Sequence, residues 1–382
     1  MKTPIYLDSH ATTKIDERVL SEMMIYFRKD YANPSSIDHI QGNQVSEKVE
    51  ESRSEIAECI NAYEDEIIFT SGATESNNLS ILGVAKSLKS KGNHIITTKM
   101  EHKAILNTCS KLEEEDFDVT YLEVNKNGQI SLQKLKDAIN KRTILVSVMA
   151  ANNEIGSILP IEKIGEILKD KDILFHTDAT QIIAYKKIDV KKMNIDLMSI
   201  SGHKIYGPKG IGALYVKRGI KLTPIMYGGG QERGIRPGTL NVPGIIGLSK
   251  AMRLVNEERI ENSEKILRLR NLFIDILSKN IEFQLNGSLD QRLPNNISIF
   301  IPGIDAKALI TKVKDYVSIS AGSACNTDRV NPSHVMIGMG HDKERAFSTI
   351  RIGISKHNTE EEILFAAEKI SQGINKMLNF FN

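Results

Sequence analysis

Four short stretches carry side chains that could do chemistry. SISGHKIYGPKG (199–210) places Lys204 just past an apolar run, among Ser201, His203 and glycines. An amine with an ordinary pKa near roughly 10.4 becomes a nucleophile when burial or neighbouring cations lower that value. The alternative is an ordinary loop lysine. FHTDATQ (175–181) places Asp178 at the C-terminal end of an apolar run, with Gln181 three residues on. A buried carboxylate there needs a positive or hydrogen-donating partner, and a helix N-cap would meet the same need. FTSGATESNN (69–78) places Ser71, Gly72, Ala73 and Thr74 between a strand pattern and a helix pattern. The unpaired amides of a helix start, flanked by small side chains, make an anion site; a plain capped turn is the other reading. Glu75 would add repulsion to such a site unless it points away. Finally, SAGSAC (320–325) surrounds Cys325 with small residues. It is either a small packed side chain or a thiol nucleophile on a loop.

Three further residues sit in comparable places. KMEHKAI (99–105) sets His102 just past a strand pattern, and AANNEIG (150–156) does the same for Asn153. STIRIGISKHN (348–358) carries Arg351 inside an apolar strand. A buried arginine needs an anion, which is either a substrate carboxylate gripped by its fork or a structural acid.

The elements that must position these residues alternate. EIIFT (66–70), HIITT (94–98), VTYLEV (119–124), TILVSVM (143–149), ILFHTD (173–178), LMSIS (197–201) and ALYVK (213–217) read as strands. Amphipathic stretches such as 74–90 and 161–169 read as helices between them. The alternation predicts an α/β layer with a mostly parallel sheet, its active residues gathered at strand C-termini. A Gly-rich loop joins the last two strands and breaks the pattern, which leaves the direction of that pair open. YGGGQERGIRPGT (227–239) is a loop. After about residue 250 the texture changes. A helix over 252–277, with Ile266, Leu269, Phe273 and Ile276 as its stripe, precedes IEFQL (281–285), NISIFI (296–301), a helix near 305–314, YVSIS (316–320), STIRIGI (348–354) and a final helix from Thr359. The expected division is a large α/β domain over 15–255 and a smaller α+β domain from 1–14 and 256–382, the latter carrying Cys325.

Composition excludes other classes. With 41% hydrophobic and 26% charged residues and a net charge of +2, the chain offers no field for nucleic acid or membranes. The basic run Lys186–Lys192 has no interleaved aromatics and reads as a solvated face. The N-terminus lacks a secretory apolar core, and no run of roughly 18 apolar residues exists. Three widely spaced cysteines in 382 residues argue against a disulfide framework or a Cys-rich metal site, and fit a reducing cytoplasm. Cys59 and Cys109 fall on apolar helical stripes and read as packing. No P-loop or GxGxxG is present.

Taken together, an anion cradle, a strand-end carboxylate, a loop lysine, a histidine and a carboxylate-binding arginine are what pyridoxal 5'-phosphate requires. Cys325 adds sulfur chemistry. The sequence resembles the cysteine desulfurase family, class-V aminotransferase-like pyridoxal-phosphate enzymes of fold type I. The resemblance runs from IYLDSHATTKID to TIRIGISKHNTEEEI and is carried by HTDATQ, DLMSISGHKIYGPKGIGALYV, YGGGQERGIRPGTLNVPGIIG and SAGSACN. SAGSAC is similar to the catalytic loop of the long-loop group, whose glycines would let a persulfide reach an acceptor.

The resemblance implies a mainly parallel seven-stranded sheet between helices, and roles by position. Lys204 would be the Schiff-base lysine and the base at the substrate Cα. Asp178 would keep the pyridine nitrogen protonated, and Gln181 would bond the phenolic oxygen. His102 would stack on the ring and move protons. Ala73, Thr74, Ser201 and His203 would hold the phosphate. Thr239 would reach the cofactor of the neighbouring subunit, implying a homodimer. Asn153, also a cofactor contact, and Arg351 would hold the substrate carboxylate, with Asn33 lining the same site. Cys325 would take sulfur from L-cysteine as a persulfide, release L-alanine, and pass the sulfur to an acceptor protein. The implied alternatives are a selenocysteine lyase or another aminotransferase-like enzyme.

The chain departs from the family pattern at His10 and Lys14, a change expected to bear little on chemistry. It ends at Asn382, soon after the last predicted helix, where housekeeping iron–sulfur members carry a scaffold-docking segment. Iron–sulfur or nitrogenase-type cluster assembly, tRNA thiolation and DNA phosphorothioation all stay open as destinations of the sulfur.

Overall fold

A computed structural model describes residues 3–322 and 331–379. A short strand, β1 (Ile5–Tyr6), and two helices, α1 (Glu17–Arg28) and α2 (Ile40–Cys59), open the chain. Seven strands follow: β2 (Ile67–Thr70), β3 (His94–Thr98), β4 (Asp118–Leu122), β5 (Thr143–Ser147), β6 (Leu174–Asp178), β7 (Leu197–Ser201) and β8 (Gly212–Val216). Helices α3 (Ala73–Leu88), α4 (Lys103–Glu113), α5 (Leu132–Ala138) and α6 (Ile161–Leu168) lie between them. The strands form one sheet in the order β2-β8-β7-β6-β5-β3-β4. Its inner pairs are parallel, and β8 alone runs against its neighbours. Every residue of β3, β5 and β7 is buried. Helices cover both faces of the sheet, which is why these strands read as continuous apolar runs rather than alternating ones.

On one face, Leu79, Ile81 and Val84 of α3 and Ile105, Cys109 and Leu112 of α4 pack on Ile68, Ile95, Leu145 and Leu214. On the other, Ile96, Val146, Phe175 and Met198 join a core that continues into the C-terminal part of the chain. Cys59 and Cys109 are free thiols within these cores. Burial pushes them up to about 11 and about 12, so they pack and do not react.

The long helix is α7 (Val242–Asn280), ten residues longer at its start than its apolar stripe predicts. VPGIIG hides the start of the helix because it holds a proline and two glycines. The proline lies in the first turn, where no helical N–H is needed, and Asn241 caps Gly244 N–H at 3.2 Å. Gly247 is small because a Cβ there would come 2.6 Å from the Met23 sulfur of α1. The helix runs unbroken through residue 255 and packs on α1, α2 and later α11.

Beyond it, β9 (Gln284–Leu285) and β10 (Asn296–Phe300) precede α8 (Ala306–Val313). YVSIS divides around Ile319 into β11 (Val317–Ser318) and β12 (Ser320–Ala321). The helices α9 (His334–Gly338) and α10 (Lys343–Phe347), strand β13 (Thr349–Gly353) and helix α11 (Glu360–Leu378) complete the chain. A second sheet has the order β12-β13-β10-β9, and β11 pairs in parallel with β1. The N-terminal strand is thus stitched to the C-terminal part. Among the described residues, no helix is long and apolar enough to cross a membrane.

Candidate active site

Strands β2, β3, β5, β6 and β7 run in one direction and release the chain at one rim of the sheet. The start of α3, His102, Asn153, Asp178 and Lys204 all follow directly from those ends. They line a single cavity of about 640 Å³, within the roughly 300–1,000 Å³ of small-molecule sites.

Lys204 ends the short 3-10 turn that follows β7. Its Nζ donates to the main-chain carbonyls of His10 and of Ala11, the latter at 2.7 Å. Asp178 is the last residue of β6. Its Oδ2 accepts from Asn77 Nδ2 at 2.8 Å and its Oδ1 from the Thr180 N–H at 2.9 Å, so its carboxylate is braced from two sides. Helix α3 begins at Ala73 after Gly72, whose φ of +147° only glycine adopts readily. Ser201 lies across from it, 3.7 Å from where a Cβ on Gly72 would stand. The amides at Ala73 and Thr74 and the positive end of the helix dipole face the cavity beside Ser201 and His203.

Glu75 takes the second of its two courses. Its carboxylate pairs with Arg236 at 2.8 Å and accepts the Ser71 N–H at 2.7 Å, so it opposes no anion. His203 bonds Thr12 Oγ1 at 3.2 Å. Burial, then Lys204 and Lys209, push its imidazole down to about 4 and leave it neutral. His102 caps α4, its Nδ1 accepting the Ala104 N–H at 3.1 Å, which fixes the ring at the cavity wall.

Arg351 projects from β13 and is 2% exposed. Its Nη2 pairs with Asp8 at 2.9 Å and its Nη1 donates to the Asn153 carbonyl at 3.1 Å. Its Nε has no partner among the described residues. The structural acid and the cavity position both hold: Asp8 neutralises the buried charge while the guanidinium lines the pocket.

Gln181 lines the cavity as well, whereas Asn33 and Thr239 do not. Asn33 is exposed and closes a local turn, its Oδ1 accepting the Ser35 N–H at 2.9 Å. Thr239 is exposed on the Gly-rich loop. Cys325 lies outside the described residues. The residues on either side of that segment meet at Glu154, another cavity residue. Ser333 Oγ donates to its Oε2, and a Cβ on Gly322 would come 3.1 Å from the same oxygen. Burial pushes the Glu154 carboxyl up to about 7 against the pull of Ser333 and Arg351.

Sequence reasoning missed Asn77, Glu154, His334 and His10 as cavity residues. For Asn77 a signal existed: Ser76, Asn77 and Ser80 are polar residues on the face of α3 that is buried. His10, read as a bystander, is in fact buried against Gln181.

The donor set fits pyridoxal phosphate. An amine, a braced carboxylate, an anion cradle, and two buried polar atoms without a partner among the described residues, Asn77 Oδ1 and Arg351 Nε, share one cavity wall. The class-V aminotransferase model matches residues 5–365, and the chain belongs to that pyridoxal-phosphate-dependent family. Within it the chain stands among the cysteine desulfurases. Cysteine desulfurase IscS of Ehrlichia chaffeensis is 48% identical over 378 residues, covering 98% of this chain and 92% of that protein. A solved NifS-like protein superposes with a TM-score of 0.92 at 37% identity, over 99% of this chain and 100% of that one. The structure of SspA in complex with cysteine superposes at 0.83 and 38% identity, over 93% and 100%.

Proposed function

We propose that this chain converts L-cysteine to L-alanine and holds the sulfur as a persulfide on Cys325. The observation that carries the reading is the convergence of Lys204, Asp178, Arg351 and the start of α3 on one cavity. Bound pyridoxal phosphate supplies a covalent anchor for the substrate amine and an electron sink for charge at Cα. Lys204 would hold the cofactor through its aldehyde, and its amine is placed to take the substrate Cα proton. Asp178, braced by Asn77 and Thr180, would accept a hydrogen bond from the ring nitrogen. The amides of Ala73 and Thr74, with Ser201 and His203, would hold the phosphate, and Arg351 and Asn153 would orient the substrate carboxylate.

The sulfur step belongs to Cys325. Its thiolate attacks the substrate sulfur; an S–S bond forms and the substrate C–S bond breaks. The electron pair left on carbon takes a proton and becomes the alanine methyl C–H. The sum is L-cysteine plus a thiol giving L-alanine plus a persulfide, with no external oxidant. A thiol with pKa near roughly 8.5 is mostly protonated at pH 7, and we assign His102 to accept its proton.

Two wider assignments rest on the same reading. A homodimer would bring Thr239 to the neighbouring cofactor. The loop that carries it also exposes Met226 and Tyr227, the latter by 83%, as a second copy would require. A reducing cytoplasmic setting suits a thiol nucleophile and the two free buried cysteines. The persulfide would pass to an acceptor protein of cluster assembly, tRNA thiolation or DNA phosphorothioation.

The test is alanine release from L-cysteine, read beside the cofactor absorption. Lys204→Ala should lose both the borohydride-reducible colour and activity. Cys325→Ala should keep the colour and lose alanine release. Full activity of Cys325→Ala with cysteine would sink the mechanism.

A further inference from the structure

His10 is 1% exposed, and its ring meets two amide side chains and the Asn295 main-chain carbonyl. Nδ1 lies 3.0 Å from Gln181 Oε1, and Nε2 lies 3.1 Å from Asn296 Nδ2. The Asn296 side chain in turn lies 2.8 Å from Arg292 Nη1 through its Oδ1. All four residues are buried. Arg292 makes its other bonds to the carbonyls of Ser288 and Asn286, so its recorded partners are neutral oxygens.

The polarity of this chain is decided from its far end. A guanidinium only donates, so the Asn296 atom facing Arg292 must be oxygen. Its amide nitrogen then faces His10, and also donates to the Glu154 carbonyl at 3.2 Å. Met by that N–H, His10 Nε2 accepts when the proton of the neutral imidazole lies on Nδ1, and this is the tautomer the Asn296 donor favours against the Asn295 carbonyl, which also faces the ring. Burial, with Arg351 and Lys204 as the cations facing the ring, keeps that imidazole neutral. An Nδ1–H can only meet an acceptor, so Gln181 presents its oxygen to His10. One N–H of Gln181 returns to the His10 carbonyl at 3.2 Å. The second is left for the cavity that Gln181 lines.

We propose that Arg292, Asn296 and His10 form a one-way donor chain that locks Gln181 with an N–H toward the cofactor's phenolic oxygen, making His10 a positioning residue. The inference rests on the pyridoxal-phosphate reading above and adds to it a residue outside the family pattern. Its consequence is electrostatic. A fixed donor at the phenolic oxygen draws off negative charge that would otherwise hold the neighbouring proton of the Lys204–cofactor linkage. Losing that donor makes the proton harder to remove.

The experiment is a pH titration of the holoenzyme's visible absorption, without substrate. His10→Ala should raise the midpoint by about one pH unit, the worth of one hydrogen bond. Asn296→Ala removes the donor that holds Nε2 as an acceptor without adding a charge, so either tautomer becomes available; it should raise the midpoint by a few tenths of a unit, less than His10→Ala. His10→Asn, whose amide N–H can take the place of Nδ1–H, should titrate within a few tenths of a unit of wild type. Thermal melting of each holoenzyme reports folding separately. A wild-type midpoint in both His10→Ala and Asn296→Ala would overturn the proposal, as would equal shifts in all three variants. A wild-type protein that forms no coloured cofactor complex would overturn the underlying assignment instead, and the chain's role with it.

Discussion

Glu101 offers a test of how the site region is held together. It lies between β3 and α4 with no exposure. Its Oε1 accepts from the Met149 N–H and from Thr98 Oγ1, each at 2.9 Å, while Oε2 has no partner among the described residues. Burial pushes its carboxyl up to about 8, with the charge of Asp178 a lesser contribution in the same direction. In the unfolded chain the group titrates near 4.5. The native state therefore holds a proton that the unfolded state has released between those two values. Stability attached to Glu101 is full below about pH 4.5 and is lost as pH rises to about 8. At 1.36 kcal/mol per pH unit, a window of about 3.5 units amounts to about 5 kcal/mol. A melting entropy of about 2.1 cal/mol/K per residue gives roughly 0.8 kcal/mol/K for this chain, so the loss corresponds to about 6 °C in melting temperature. Glu101→Gln keeps the acceptor oxygen and cannot ionise. The melting temperatures of variant and wild-type holoenzyme should nearly coincide at pH 5, diverge in the variant's favour up to pH 8, and run parallel above it. Contributions common to both proteins cancel in the difference. A difference that stays constant from pH 5 to 8 would refute the argument that this carboxyl is buried and protonated.

Three other substitutions probe the cavity directly. Asn77→Ala removes a donor to Asp178; a hydrogen bond to a charged group is worth about 1.5–3 kcal/mol, so cofactor affinity should fall roughly tenfold or more, and an unchanged Kd by fluorescence titration would count against the bracing role. Gly72→Ala clashes with nothing, its Cβ standing in ordinary contact 3.7 Å from Ser201 Oγ, but forces a φ of +147° on a residue with a Cβ; strain of about 1–3 kcal/mol should weaken binding of pyridoxal phosphate about tenfold while leaving unphosphorylated pyridoxal unaffected. Arg351→Lys keeps the charge and loses the fork that reaches Asp8 and Asn153 together; KM for cysteine should rise at least about tenfold, and a wild-type KM would remove Arg351 from substrate binding.

The strands and the rim they build were legible because they are local. Buried parallel strands write themselves as apolar runs, and a polar residue just past such a run is a strand-end residue whatever the rest of the chain does. Partners were not legible, because topology assigns them. Asn77 meets Asp178 across 101 positions, Glu75 finds Arg236 across 161, and Arg351 finds Asp8 across 343. His10 looked like a neutral replacement because nothing nearby in sequence says that Gln181 and Asn296 will enclose it. The start of α7 was hidden for the opposite reason: its proline and glycines are local loop signals that packing against Met23 overrides.

The reversed strand β8 has a mechanical consequence. Its first residue, Gly212, lies opposite Ser201, the last residue of β7, and opposite Thr70, the last residue of β2. The segment 202–211 therefore leaves the sheet and re-enters it at the same rim, and a bond from the Gly202 N–H to the Ile211 carbonyl at 3.0 Å closes it. Had β8 been parallel, the chain would have travelled to the far rim first, and the lysine's segment would be gripped at one end only. A Cβ on Gly212 would stand 2.7 Å from Gly72 Cα, so the clamp abuts the anion cradle with no slack. The sheet thus works as a gauge: the backbone that carries the lysine and the amides at the start of α3 are held at a fixed spacing, and only the lysine's own side chain is left to adjust between them.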